Sequence, residues 1–438
     1  MNHIVTTLCG LVLCACLLAG SNNANANQAL KQAVKHSESR AAAPLLDRDI
    51  LLNPSRVFDV KLSPDGQSIA YREIVGSKYK KLASMWLYDI KTGTAKNLFT
   101  AKYIRQVHWS ADSNSLFLIF HDGIGVSRVK ANAAPMVIVN VDAKLQEKWL
   151  GIDNQHTGSF LVQLWDKTSD EYVVNRVNAQ GQKTEIYRTK QRFDYFDAQA
   201  LLIGALNTAP GNRGESIIYD ISGGKSKAIW QCEWDDPCTV LHYLRSTNRL
   251  LMRSNKDSDL TRLLWADVNT GQLQTVHQDP LNIADVKGSV VRGAQVRMVS
   301  YLGDYTKTYG LTPSIEHHID TINKAINSPS LHFAVASTHD IESTPWLITD
   351  RSTQRGQKDY YLYDPKSRAV SPILSALIEQ ANAGNRMVKT AQIATTVAIH
   401  YQASDGFVLQ GYVTLPPGIN IKTAPLVVNP HGGPWGRV

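Results

Sequence analysis

One short pattern recurs along this chain and limits what it can fold into. Leu87-Tyr88-Asp89-Ile90-Lys91-Thr92-Gly93 alternates apolar and polar residues and ends in turn residues. It returns as Ile218-Tyr219-Asp220-Ile221-Ser222-Gly223, as Trp265-Ala266-Asp267-Val268-Asn269-Thr270-Gly271 and as Leu362-Tyr363-Asp364-Pro365-Lys366-Ser367. Fainter copies lie at Val141-Asp142 and Val177-Asn178-Ala179-Gln180-Gly181. The markers 89, 142, 178, 220, 267 and 364 stand 36 to 53 residues apart, except the last pair, which is 97 apart. One copy is therefore disguised, and the count is seven. Period-two alternation places successive side chains on opposite faces of a strand. Repeated in units of this size, it predicts a mainly β chain built of four-stranded propeller blades.

A second signal precedes the first marker. Ser63-Pro64-Asp65-Gly66 joins two apolar-alternating runs. Pro presets φ for a turn and Gly supplies a positive φ, which suits a hairpin. Trp109-Ser110-Ala111-Asp112-Ser113 is a degraded copy in the second unit. The disguised sixth unit holds Ile315, Ile319, Ile322 and Ile326, the spacing of one helical face. A helix inserted in or beside a blade is expected there.

The boundaries follow from changes of texture. Residues 1–26 read as a signal peptide, 27–44 as a flexible polar segment and 45–58 as a helical lead-in. The propeller spans 59–390. From 391 the texture changes again. Ala394 to Tyr401 alternates, Ser404-Asp405-Gly406 turns, Val408 to Leu415 returns, and Pro425 to Asn429 is a compact apolar run. Residues 391–438 thus read as the first three strands of a second domain.

The stretch from Ile4 to Ala19 is apolar and uncharged, and Ala24-Asn25-Ala26 offers a small-x-small cleavage pattern. The segment is short for a membrane span, so no span is expected after cleavage. Export to the periplasm or the medium follows, with lipid anchoring at Cys16 as the alternative. The mature chain then keeps two cysteines, Cys232 and Cys238, which suggest a small disulfide loop; two reduced thiols are the competing reading. The net charge is +8. It forms no run of five basic residues, the densest patch being Lys78-Tyr79-Lys80-Lys81, and nucleic-acid binding is not expected.

Catalytic motifs are scarce. No Gly-x-Ser-x-Gly occurs in the 438 residues; Gly125-Val126-Ser127 has Val129 where the second Gly belongs. Gly224-Lys225-Ser226 lacks the first Gly of a phosphate loop, and Arg128 breaks the dinucleotide fingerprint begun at Gly123. Glu316, His317, His318 and Asp320 could be offered to a metal, but adjacent helical His residues diverge by about 100°. They read instead as a polar helix face, and neither a metal nor a cofactor is expected. The remaining candidate is His431-Gly432-Gly433, a Gly-rich loop directly after an apolar run. Strand-to-loop motifs of this kind set backbone N–H groups toward an oxyanion.

Leu409 to Gly418, followed by Pro425-Leu-Val-Val-Asn-Pro-His-Gly-Gly-Pro-Trp435, resembles the prolyl oligopeptidase family of serine peptidases. The nearest branch is the acylaminoacyl-peptidase and dipeptidyl-aminopeptidase-like one. Asp49-Ile-Leu-Leu-Asn-Pro54 and Leu62-Ser-Pro-Asp-Gly66 are similar to the start of that family's propeller. The likeness covers nearly all of 45–438. It implies a seven- or eight-bladed propeller with an α/β-hydrolase domain, here incomplete, and peptides as substrates. His431, Gly432 and Gly433 fall by resemblance in the oxyanion-hole region. The family's Ser, Asp and His would all follow it, so no catalytic residue is assigned. The expectation is the propeller portion of an exported serine peptidase, truncated and inactive alone. A propeller used as a protein-binding module, or one half of a split peptidase whose hydrolase half is a separate fragment, are the alternatives.

Overall fold

The third strand of each clear repeat ends in a carboxylate that closes its own turn. Asp89 Oδ1 accepts the Thr92 N–H at 2.8 Å, with Gly93 at φ 67°. Asp267 Oδ1 accepts Asn269 and Thr270 N–H, both at 2.9 Å, with Gly271 at φ 73°. Asp364 Oδ1 takes Lys366 N–H at 3.0 Å, and there Arg368 occupies the left-handed position at φ 59°. Asn178 serves in the same way, accepting Gln180 and Gln182 N–H at 3.0 Å. The repeat is therefore a side-chain-capped turn, which demands Asp or Asn at a fixed offset from a residue that tolerates positive φ.

The computed structural model describes residues 28–45, 57–75, 82–102, 104–120, 123–129, 136–140, 147–193, 195–206, 214–236, 238–292, 294–337, 340–352, 359–374 and 390–432. The expected signal peptide, most of the expected lead-in, Lys78 to Lys81, the 141–142 marker and Gly433 lie outside them. Seven antiparallel sheets follow one another along the chain, over 57–102, 106–140, 148–189, 195–232, 239–277, 285–310 and 331–373. Six have four strands and the sixth has three, all in sequence order. This is a seven-bladed β-propeller.

In the second blade the third strand is Gly123–Arg128. The 141–142 marker therefore follows the fourth strand, Met136–Asn140, and is not the equivalent of Asp89. In the sixth blade the third strand, Thr306–Gly310, runs into a helix, which we call α2, Pro313–Ile326. Thr312 caps it, accepting the Ile315 N–H, and Pro313 stands at its first turn, where no N–H is needed. Its buried face is Ile315, His318, Ile319, Ile322 and Ile326.

The core is divided among the blades. Leu116, Phe117 and Leu118, in a second strand, are all 0% exposed because both faces of that strand meet neighbouring blades. Met85, Ile104, Val107 and Leu118 join blades one and two. Phe117, Val126 and Phe160 join two and three. Met298, the α2 isoleucines and Trp346 join six and seven. Val57, Ile69, Tyr71, Leu347 and Tyr360 join seven back to one. The ring thus closes by packing, helped by the Ser337 N–H donating to the Pro64 carbonyl at 3.0 Å. No strand is shared across that seam among the described residues.

A second unit holds 28–45 together with 390–432. Residues 28–39 form a helix, α1, where a flexible segment was expected. Its Ala, Leu, Gln and Lys residues are strong helix formers, and Ala33 and Ser37 are buried. The Arg40 guanidinium donates to the carbonyls of Ile393 and Ala391, at 2.8 and 2.9 Å.

Candidate functional site

The sequence directs attention to the end of the second unit. Thr395–Gln402 and Val408–Leu415 pair antiparallel without a register shift, Thr395 opposite Leu415 and Gln402 opposite Val408. Gly406, at φ 93°, closes the hairpin, and Asp405 Oδ1 accepts the Phe407 N–H at 3.2 Å. The expected third strand does not form: 424–432 carry no regular structure. Leu426, Val427 and Val428 are 88%, 85% and 76% exposed. A strand needs a neighbour to receive its backbone bonds, and among the described residues none lies beside this run.

His431 is exposed, with Nδ1 3.1 Å from the Gly432 carbonyl. A Cβ placed on Gly432 would meet nothing within 4 Å. The backbone there is open to an approaching group, as an oxyanion donor must be. No hydroxyl or thiol is hydrogen-bonded to His431 among the described residues, so no activated nucleophile is paired with it there.

The helix residues behave differently from their sequence reading. His318 is not on a polar face; three residues after Ile315 and four before Ile322, it shares their apolar stripe and is 6% exposed. Its Nδ1 lies 2.6 Å from the Tyr363 hydroxyl, and its ring meets Trp346 edge-on. Burial holds its pKa below the ordinary histidine value, with Glu342 opposing. Ser314 donates to the Glu342 carboxylate, which stands 3.8 Å from His318 Nε2. The hydroxyl bonds the acid and not the imidazole, so this trio is not an activated nucleophile.

Two further groupings had no sequence signal. On first strands of the ring, Lys61 Nζ donates to the Val107 carbonyl at 2.5 Å, and Asp59 pairs with Arg72 of the neighbouring second strand at 2.6 Å. His108 stacks on Trp149 with ring centres 4.9 Å apart. Burial, reinforced by Lys61, pushes His108 down to about 4. Between blades four and five, Glu233, Asp235, Asp236, Asp257 and Asp259 with Lys256 line an open bowl of about 530 Å³. Cys232 and Cys238 are bonded across its loop, with Cα atoms 5.7 Å apart, and Ser254 donates to Asp236 at 2.7 Å. Lone residues 20 positions apart could not announce this bowl; the pairing of Thr239 with Arg253 inside blade five brings the two loops together.

No established family profile matches the chain. It is similar to dipeptidyl aminopeptidase BIII of Pseudoxanthomonas mexicana, 22% identical over 436 residues, which takes in 94% of this chain and 60% of that protein. The chain therefore spans well under two thirds of that relative's length. Among solved structures, a prolyl endopeptidase shares the fold, with a TM-score of 0.51 and 10% identity over 90% of this chain and 58% of the other.

Proposed function

We propose that this chain, which is related to the prolyl oligopeptidase family, supplies the propeller and the entry to the hydrolase domain of a peptide-cleaving serine enzyme. The observation that carries this reading is the run from the 395–415 hairpin through Pro425 into His431-Gly432, similar along nearly the whole chain to a dipeptidyl aminopeptidase. Peptides are the proposed substrate class, and release of dipeptides is the activity that the relative's name carries. Gly432 and Gly433 would offer backbone N–H groups to the oxyanion of the acyl-transfer step.

Cleavage needs a nucleophile. The other oxyanion donor in such sites is the N–H of the residue after it. These 438 residues hold no Gly-x-Ser-x-Gly, so we assign them no turnover of their own. Removing triad members leaves only the residual rate given by the oxyanion hole and binding. Export belongs to the same reading, supported by the apolar 4–19 segment and by the Cys232–Cys238 bond, since disulfides persist in oxidising compartments.

The test is a fluorophosphonate probe on the purified chain, with dipeptidyl-p-nitroanilide hydrolysis in parallel. No labelled serine and no hydrolysis above buffer are expected. Stoichiometric labelling of one serine would overturn the assignment.

A further inference from the structure

The sixth blade has three strands where the other six have four. Its third strand, Thr306–Gly310, is paired only with Gln295–Leu302 among the described residues. The phase of that pairing is fixed, because the Leu311 N–H donates to the Arg297 carbonyl at 2.9 Å. Backbone groups alternate sides along an antiparallel strand. Those of Lys307 and Tyr309 therefore face Gln295–Leu302, and those of Thr306, Thr308 and Gly310 face outward.

Helix α2 lies against this strand, with Asn323 reaching a cavity beside it, and its first turn bonds one end of the edge. There the Gly310 N–H donates to the Glu316 carboxylate. At the other end the edge runs along a cavity of about 330 Å³ walled by Ile283, Leu331, Phe333 and Asn323. Thr306 and Thr308 line it and are only 7% and 6% exposed. Their side chains are engaged, Thr308 with Ser300 at 2.7 Å and Thr306 with His332 at 3.3 Å. Their outward backbone N–H and C=O groups have no protein partner among the described residues. Buried backbone groups call for one.

We propose that this cavity is a strand-addition site. An extended peptide from another molecule adds as the missing fourth strand along Thr306 and Thr308. An extended chain repeats its donors and acceptors every second residue, at about 3.3 Å rise per residue, which matches the two outward positions. Leu331 and Phe333 give an apolar side chain of the peptide a wall to rest on. The site lies wholly within the propeller and does not depend on the peptidase reading.

The test uses the full chain and a fluorescein-labelled (Thr-Val)₃ peptide amide, read by fluorescence anisotropy. Two further peptides are methylated at the amide nitrogens of only the threonines or only the valines. Saturable binding is expected, weakened roughly tenfold by one methylation pattern and little by the other, because only one set of N–H groups faces the edge. Thr308→Pro removes an outward N–H and no ladder bond, and should weaken the parent peptide to a similar degree. If that variant does not fold, the methylated pair still decides. Absence of saturable binding, or equal weakening by both patterns, overturns the proposal.

Discussion

The Gly418 N–H donates to the Ser37 carbonyl at 2.8 Å, tying the turn after the C-terminal hairpin to the last turn of α1. Gly418 has φ 72°, and a Cβ on it would lie 2.6 Å from Ala42 N. Gly418→Ala should therefore cost about 1–3 kcal/mol from backbone strain alone, with the overlap adding to it. Hydrogen exchange should show amides over 28–39 losing protection while propeller amides keep theirs. Unchanged exchange in α1 would refute the tie.

Gly310 is a second close approach. A Cβ there would overlap the backbone of Glu316 and come within 2.7 Å of the Ile315 carbonyl carbon. Gly310→Ala should lower stability by roughly 1–3 kcal/mol by overpacking. Gly432→Ala, with open space around it, should stay within about 0.5 kcal/mol. Denaturant midpoints of the two variants, measured side by side, check the contrast.

Acid should weaken the propeller in a defined window. Burial lowers the pKa of His108, His277 and His318 below the ordinary 6.5, His108 to about 4. The unfolded chain then takes up these protons first as pH falls. The stability they confer is present above about pH 6.5, is lost between there and about 4 for His108, and levels off below. Denaturant midpoints at pH 7, 5.5 and 4 should fall in that order, and His108→Gln should flatten the slope. An unchanged midpoint would refute the assignment.

The Cys232–Cys238 bond closes a loop of six residues' separation. By loop-closure entropy it should stabilise the fold by about 2 kcal/mol. Reduction by dithiothreitol should lower the melting temperature of the native chain. The C232A/C238A double variant should melt lower from the start and not respond to the reductant.

The sequence displayed what a side chain must do locally. Asp89, Asp220, Asp267 and Asp364 were legible because each caps its own turn, so the residue type and the spacing are both constrained. In the second blade the Trp109–Ser113 turn was legible, but the 141–142 marker was not the equivalent of Asp89, because the third strand ends at Arg128, which carries no such cap. The helix at 313–326 was legible from its isoleucines. That it stands where a strand is missing was not, since periodicity says what an element is and not what it replaces. Pro425 to Asn429 has the composition of a strand, but pairing is a property of neighbours. His108 was silent because its partners lie in other blades, and the acidic bowl because its two loops meet only once Thr239 pairs with Arg253.

Each blade is one uninterrupted stretch of chain, and among the described residues the ring is sealed from Val57 and Tyr71 to Leu347 and Tyr360 by packing and one backbone hydrogen bond, with no shared strand. Blade order is therefore a matter of where the gene begins reading. A circular permutant opened at the surface between blades three and four, with the old ends linked, should still build the same ring. The permutant's near-ultraviolet spectrum and cooperative melting would reveal whether the molecule remembers a first blade.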